Sequence, residues 1–129
     1  MRTKILKSLK AAVLGTAITV MSVIPAYADT YYNDTFTDTN GNYYGNTIFD
    51  VDYASGMRKI YAWSGGLDDC QYRVKLVTAY SYGTEEEDTG FCDGHASISH
   101  SYEWADDYQS IHQVRSGIYI RDTKTYSGS

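Results

Sequence analysis

Residues 70–82 read CQYRVKLVTAYSY and give the clearest secondary-structure signal in the chain. The even positions carry cysteine, aromatic, aliphatic and threonine side chains, whereas glutamine, arginine, lysine and serine fall among the odd positions. This alternation has the period of a β-strand with one buried face, and not the period of about 3.6 that marks a helix. The segment therefore predicts one long strand that packs on a core.

Weaker alternation of the same kind recurs along the chain. It covers residues 48–53, 57–63, 95–104 and 111–121. In the last segment Ile118 and Ile120 keep the phase of the predicted buried face, although Ser116-Gly117 indicates a bulge or a break before them. Asn40-Gly41 adds a hairpin signal. Six or seven short strands at this spacing are typical of an all-β antiparallel sandwich or small barrel.

The first 28 residues have the organisation of a secretory signal peptide. Residues 1–10 contain four basic and no acidic side chains, residues 11–24 are a largely apolar run, and a small-x-small pattern ends at Ala28. This run is too short for a comfortable membrane span, and no second run follows. We therefore expect cleavage near Ala28, secretion of the kind seen in bacteria, and a single all-β domain at residues 29–129 without a transmembrane anchor.

Composition restricts the function of this expected mature chain. Residues 29–129 contain all 16 acidic residues but only 7 of the 11 basic ones, which gives a net charge of −9. This charge argues against a nucleic-acid binder that relies on a basic surface. Leu, Ile, Val and Phe are scarce while 13 of the 14 Tyr fall in this part. Tyrosine must therefore supply much of any core, which argues against a Leu/Ala-rich helical bundle.

The two cysteines predict a disulfide. In an exported chain Cys70 and Cys92 are the only intramolecular pair, with free thiols or a bond between chains as the alternatives. A plain hairpin turning near Glu86 would place them roughly 33 Å apart, whereas a disulfide needs Cα atoms within about 7 Å. Either residues 84–91 run back along the long strand as an acidic edge segment, or the bond crosses between two sheets. We prefer the first, because the acids would keep an edge strand from pairing with other molecules.

The same acidic segment carries the one helical signal. Thr84-Glu85-Glu86-Glu87 has the form of a capping box. Asp88-Thr89-Gly90 follows at once, so a single helical turn is the most that this signal predicts.

No residue pattern points to catalysis, a metal or a cofactor. His95 and His100 lie five positions apart and so on opposite strand faces, which leaves His100 with His112 as the histidine pair that alternation does not separate. Asp50 and Asp52 share a strand face, but neither an EF-hand loop nor a pair of carboxylates across a cleft follows from the sequence. Since no nucleophile motif is present either, we expect a non-catalytic protein.

Exposed tyrosine and tryptophan are the best candidates for a binding surface. Neighbours in a strand point to opposite faces, so one member of Tyr31-Tyr32 and one member of Tyr43-Tyr44 should be exposed. An exposed ring stacks on the apolar face of a sugar while adjacent polar groups hold the sugar hydroxyls. The alternative interpretation is that tyrosine only replaces aliphatic residues in the core. The candidate ligand-binding residues are Tyr43, Tyr44, Tyr61, Trp63, Tyr102 and Trp104.

These features favour a secreted, non-catalytic protein that binds carbohydrate or another component of a cell surface or cell wall. A small secreted antibacterial factor of the bacteriocin type is the first alternative, and its negative charge would require a protein receptor in place of an anionic membrane. A structural protein that self-associates through edge strands is the second alternative. The ligand and the oligomeric state stay open.

Overall fold

A computed structural model describes residues 29–128, so the predicted signal peptide at residues 1–28 lies outside the described residues. The described part is all-β and contains nine strands and no helix. No helix in it is therefore available to span a membrane. The strands are β1 (Thr30–Thr37), β2 (Tyr43–Ala54), β3 (Met57–Gly65), β4 (Gln71–Tyr80), β5 (Gly83–Asp88), β6 (Cys92–Asp93), β7 (His95–Glu103), β8 (Asp107–Ser116) and β9 (Tyr119–Gly128).

The strands form two antiparallel sheets that enclose one core. The first sheet has the order β1-β2-β3-β7, and the second has the order β5-β4-β8-β9, with β6 also paired to β4. The predicted antiparallel two-sheet architecture is thus confirmed, with more strands than the six or seven expected. The buried residues that form this core cluster are Phe36, Phe49, Val51, Ile60, Ala62, Cys70, Tyr72, Val74, Leu76, Ala96, Ile98, Ala105, Tyr108, Val114 and Tyr126.

The segment 70–82 follows its predicted alternation as far as Leu76, whereas beyond it Val77 and Ala79 in the odd phase are also buried and Tyr82 is 74% exposed. Tyr72, Val74 and Leu76 are fully buried, whereas Arg73 and Lys75 lie half-buried on the opposite side of β4. Burial of apolar surface on one face of a strand stabilises the fold by roughly 25 cal/mol per Å². It also fixes the register of the strand, because a slip by one residue would expose that face. This strand therefore lies at the centre of the second sheet, between β5 and β8.

Tyrosine supplies part of the core and keeps its hydroxyl groups hydrogen-bonded there. The Tyr72 hydroxyl donates to the carbonyl of Tyr44 at 2.7 Å and accepts from the amide of Leu67 at 3.0 Å. The Tyr126 hydroxyl lies 2.6 Å from Thr47 Oγ1. Because a buried hydroxyl without a partner is costly, these bonds allow tyrosine to replace aliphatic residues.

The last predicted strand is two strands. Gly117 adopts a φ of +65° and the chain reverses there, so that β8 and β9 form a hairpin. A register shift between Val114 and Arg115 changes the phase further. Ile118 and Ile120 are consequently exposed, and the expectation that they share the buried phase of His112 is wrong.

Residues 83–88 form the edge strand β5, and the helical signal there is wrong. Lys75 pairs with Asp88 and Tyr80 pairs with Gly83, so the segment runs back along β4. Glu85, Glu86, Glu87 and Asp88 are all exposed. The preferred topology, an acidic edge segment, is therefore confirmed.

The predicted disulfide, by contrast, is corrected: Cys70 and Cys92 are free. Cys92 pairs with Tyr72, while the Cys70 carbonyl accepts from the Gly94 amide, so the cysteines are diagonal neighbours on paired strands. Diagonal neighbours lie about 7–8 Å apart, beyond disulfide distance. The Cys70 thiol instead faces Asp69 Oδ1 at 3.7 Å, and the Cys92 thiol faces the Thr89 carbonyl at 3.6 Å. Burial raises the pKa of the Cys70 thiol, which keeps it protonated.

Candidate aromatic binding face

The outer face of the first sheet carries rows of side chains that cross all four strands. Strand pairing places Asp50 directly between Tyr31 and Tyr61, and Ser99 follows beyond Tyr61. The adjacent row, two residues along each strand, consists of Asn33, Ile48, Trp63 and Ser97. We call these two rows, with Asp52 and Lys59 beside them, the aromatic face.

The rings of the aromatic face are held by rigid strands. Tyr31 is 59% exposed and Tyr61 is 37% exposed, and they lie two strand spacings apart, or roughly 10 Å. Trp63 is half-buried, since its ring covers Gly65: a Cβ atom on Gly65 would lie 2.6 Å from Trp63 Cζ2. Side chains on neighbouring strands are fixed to within their rotamers, so this face presents its rings in a defined arrangement.

A bend in β2 adds Tyr43 to the aromatic face. Gly45 has a φ of +111°, and its backbone packs so closely that a Cβ atom would lie 2.5 Å from the Gly65 carbonyl oxygen. Beyond this bend the Tyr43 hydroxyl donates to Asn46 Oδ1. Asn46 pairs with Gly65, next to the Trp63 ring, so Tyr43 extends the surface at this end.

Two carboxylates lie among these rings. Asp50 and Asp52 line a depression of 330 Å³ together with Lys59, Ile60, Tyr61 and Ser99. Burial raises the pKa of Asp50, and the charge of Asp52 raises it further, while the opposing effect of Lys59 is smaller. This part of the face therefore holds more negative charge than its own cation offsets.

The six candidate ligand-binding residues do not form one surface. Tyr43, Tyr61 and Trp63 lie together on the aromatic face. Tyr44 lies on the other side of β2, with the Arg121 guanidinium 5.7 Å from its ring centroid. Of the Tyr43-Tyr44 pair, Tyr43 is exposed and Tyr44 is half-buried, as the alternation predicts.

Tyr102 and Trp104 lie at the opposite end of the first sheet. Both are exposed, and the Trp104 ring lies against the turn between β2 and β3, where a Cβ atom on Gly56 would approach it to 2.6 Å. A register shift opposite Lys59 separates this end of β7 from the regular pairing below it. These two residues are therefore not part of the aromatic face.

Tyr31 and Asp50 are central to the aromatic face but are not among the six residues that the sequence indicated for ligand binding. The neighbour of Tyr31, Tyr32, stacks on Tyr126, with 5.1 Å between ring centroids, but is still 42% exposed, so the expectation that only one of the two rings is exposed is wrong. The Asn40-Gly41 signal indicates that β1 and β2 form a hairpin, and the pairing of these strands brings Tyr31 opposite Asp50. Residue counting alone did not reveal the irregularity between Thr35 and Thr37 that sets this register.

A second polar cluster ties the two sheets together. Glu103 Oε1 accepts hydrogen bonds from the hydroxyls of Tyr80 and Tyr108 at 3.0 and 2.8 Å, and it lies 2.9 Å from His100 Nδ1. The other ring nitrogen of His100 contacts the Glu87 carboxylate on β5. Burial lowers the pKa of His100, but its bonds to Glu103 and Glu87 outweigh burial and raise that pKa. We call this group the His100 cluster.

His112 belongs to the core and not to an open site. Ser64 Oγ lies 2.7 Å from its Nδ1, and Ser110 Oγ lies 2.7 Å from its Nε2. All three residues are fully buried, and burial lowers the pKa of His112 to about 4. A substrate cannot reach these serines, so the arrangement rigidifies the core. His100 and His112 thus have separate partners, and within residues 29–128 no group of three His, Cys, Asp or Glu residues is placed to hold a metal ion.

Comparisons of the chain with protein-family models, with curated proteins and with solved structures find no match. Its function is therefore inferred from the geometry of the aromatic face.

Proposed function

We propose that the chain is exported and then acts outside the cell as a non-catalytic module that binds carbohydrate of a cell surface or cell wall through the aromatic face. The observation that carries this proposal is the row in which Tyr31 and Tyr61 flank Asp50 on an exposed sheet face. Ring stacking supplies apolar contact with a sugar, and a carboxylate between the rings accepts hydrogen bonds from sugar hydroxyls.

The spacing of the rings supports a chain-like ligand. Tyr31 and Tyr61 are separated by two strand spacings, roughly 10 Å, which is about the length of a disaccharide unit. Trp63 lies two residues along β3 from Tyr61, which adds a ring roughly 7 Å away along the strand. Consecutive sugars of a linear polysaccharide would thus meet different rings of one surface.

The polar surroundings of the rings also suit sugar hydroxyls. Ser97 and Ser99 are exposed on β7, next to Trp63 and Tyr61 respectively. Short hydroxyl side chains leave space above the sheet and donate or accept hydrogen bonds. A shallow, open surface of this kind accommodates a polymer that passes across it, whereas a small substrate would need an enclosing pocket.

The self-association alternative has less support. The exposed edge strand β5 carries four consecutive acids, and charged side chains on an edge strand hinder its pairing with another chain. No described feature favours the antibacterial alternative over carbohydrate binding.

A polysaccharide panel tests the proposal. Purified protein is incubated with insoluble cell-wall glycans, chitin, cellulose and mannan, and retention is compared with that of Tyr61→Ala. Loss of one central aromatic contact should cost about 2 kcal/mol, or roughly 30-fold in affinity. Tyr119→Ala is the matched control, because Tyr119 is 63% exposed but lies on the β8–β9 hairpin.

Two results would contradict the proposal. One is the absence of retention on every polysaccharide, with intrinsic tryptophan fluorescence unchanged by soluble oligosaccharides. The other is an equal loss of binding in Tyr61→Ala and Tyr119→Ala, which would show that the aromatic face has no special role.

A further inference from the structure

We infer that the aromatic face selects saccharides that carry a positively charged amino group over neutral and acidic saccharides. This inference rests on the proposed function and names the ligand class for the same surface. It is carried by the position of Asp50 between two exposed rings and by the charge balance around it.

The row geometry matches recognition of an ammonium group. Tyr31 and Tyr61 stand on either side of the Asp50 carboxylate, one strand spacing away on each flank. An ammonium group is attracted both to the face of an aromatic ring and to a carboxylate. A glucosamine unit stacked on Tyr61 would therefore bring its amino group within reach of Asp50, whereas a plain glucose unit would offer a hydroxyl there.

The charges around the row are unbalanced in the same direction. Asp52 follows Asp50 on the same side of β2, and its charge raises the pKa of Asp50. Lys59 pairs with Asp52 in register, but it offsets only part of this charge. Because Asp50 is half-buried beside a second carboxylate, a bound cation would relieve repulsion that the free protein retains.

The whole molecule adds to the local preference. Residues 29–128 hold 7 basic and 16 acidic side chains, a net charge of −9. Such a charge raises the local concentration of cationic polymers and slows the approach of polyuronates. Aminated glycans are thus favoured in the encounter as well as in the bound state.

The test uses three soluble hexasaccharides with the same β-1,4 linkage. They are the hexamers of glucosamine, N-acetylglucosamine and glucose, which differ in the group at C2: ammonium, acetamide and hydroxyl. Affinities are measured by calorimetry at mildly acidic pH and low salt. We expect the glucosamine hexamer to bind about tenfold more tightly than the other two, and we expect the preference to shrink with added salt.

Paired variants assign the preference to its residues. Asp50→Asn with Asp52→Asn is nearly isosteric, and circular dichroism checks that it folds. It should weaken binding of the glucosamine hexamer more than binding of the neutral hexamers, so that the preference falls below about threefold. Asp68→Asn with Asp69→Asn removes the same charge from the exposed loop between β3 and β4, and it should keep most of the preference.

The outcomes separate the two proposals. Equal affinity for the three hexamers, with binding still lost in Tyr61→Ala, would overturn the amino-group inference and leave carbohydrate binding intact. An equal loss of preference in both double variants would also overturn it, because net charge alone would then explain the selectivity. If no hexamer binds, the inference fails, and the polysaccharide panel decides the proposed function separately.

Discussion

The outer faces of the two sheets differ in whether their charged and aromatic side chains find partners within the protein. On the second sheet, Arg73 pairs with Asp88 and Lys75 pairs with Glu86 at 3.1 Å. The Phe91 ring lies under two guanidinium groups, with Arg115 at 4.2 Å from its centroid and Arg73 at 5.7 Å. We call this the ion-paired face. The aromatic face instead keeps Asp50 beside Asp52 and leaves Tyr31 and Tyr61 exposed.

The two faces differ in how far their charged and aromatic side chains are stabilised within the protein. The ion-paired face satisfies its charges internally, so little there remains to attract a ligand. The aromatic face holds like charges together, which raises the pKa of Asp50, and exposes rings that the core could have buried. Binding surfaces often retain such unfavourable arrangements, because the ligand relieves them.

Among the substitutions considered for the two faces, we expect the largest loss of stability at Gly45, which lies beneath the aromatic face. In Gly45→Ala the new Cβ would lie 2.5 Å from the Gly65 carbonyl oxygen and 2.6 Å from the Tyr72 hydroxyl. The backbone there has a φ of +111°, which L side chains rarely adopt. We expect a loss of about 3 kcal/mol in the free energy of unfolding, together with displacement of Tyr43 from the aromatic face.

Gly117→Ala is the matched control in the second sheet. Gly117 has a φ of +65°, but nothing lies within 4 Å of its added Cβ. Only the left-handed backbone then opposes the change, at about 1 kcal/mol. Urea unfolding curves measure both, and equal losses would show that the close packing of β2 on β3 has no particular importance.

A smaller effect concerns the border between the sheets, where the His100 cluster joins β7 to β4, β5 and β8. His100→Gln should lower stability by about 1–2 kcal/mol at acidic pH, because the charged bonds to Glu87 and Glu103 disappear. The pKa of His100 is raised above its ordinary value of 6.5. Its stabilisation is therefore fully present below that value and is lost as pH rises through the raised pKa.

His95→Gln is the control for the border, because His95 is exposed on β7. Its effect should stay within about 0.5 kcal/mol. A His100→Gln penalty that grows with increasing pH would contradict the proposed role of the charged imidazole. Tyr80 and Tyr108, which also bond Glu103, keep their protons throughout this range because burial raises the pKa of both hydroxyls.

The sequence was sufficient for the fold class because alternation is a local property. Tyr72, Val74 and Leu76 share a face in any β-structure, so their burial followed directly from residues 70–82. The disulfide failed for the opposite reason: whether Cys70 meets Cys92 depends on an offset of two residues between β4 and β6. Alternation within a strand carries no information about such an offset between strands.

The candidate site was only partly predictable for a similar reason. Tyr61 and Trp63 share a face because they are two residues apart on one strand. Tyr31 joins them only through the pairing of β1 with β2, and Trp104 is removed from them by the irregular end of β7. The residue types therefore indicated which contacts a binding surface could make. Which residues share that surface depends on the pairing register of four strands.

The smallest expected effect is also the most discriminating one, because replacing aspartate by asparagine should change the stability in opposite directions on the two faces. The Arg73 guanidinium holds the pKa of Asp88 below its ordinary value of 3.8. Asp88 thus stabilises the protein above that value, and this contribution is lost as pH falls through the lowered pKa. Asp88→Asn should therefore destabilise the protein at neutral pH by a few tenths of a kcal/mol, since the pair is partly exposed.

Asp50→Asn should do the reverse. Because the pKa of Asp50 is raised, the folded state holds a proton that the unfolded state releases, and stability declines as pH rises from 3.8 through the raised pKa. Removing the charge eliminates that penalty, so Asp50→Asn should gain a few tenths of a kcal/mol at neutral pH. Urea midpoints at neutral pH and near pH 3 measure both variants. Stability changes of opposite sign at neutral pH that converge in acid would establish that the aromatic face carries unrelieved repulsion and the ion-paired face does not. Destabilisation by both substitutions would mean that the Asp50 carboxylate already has a stabilising partner within the protein.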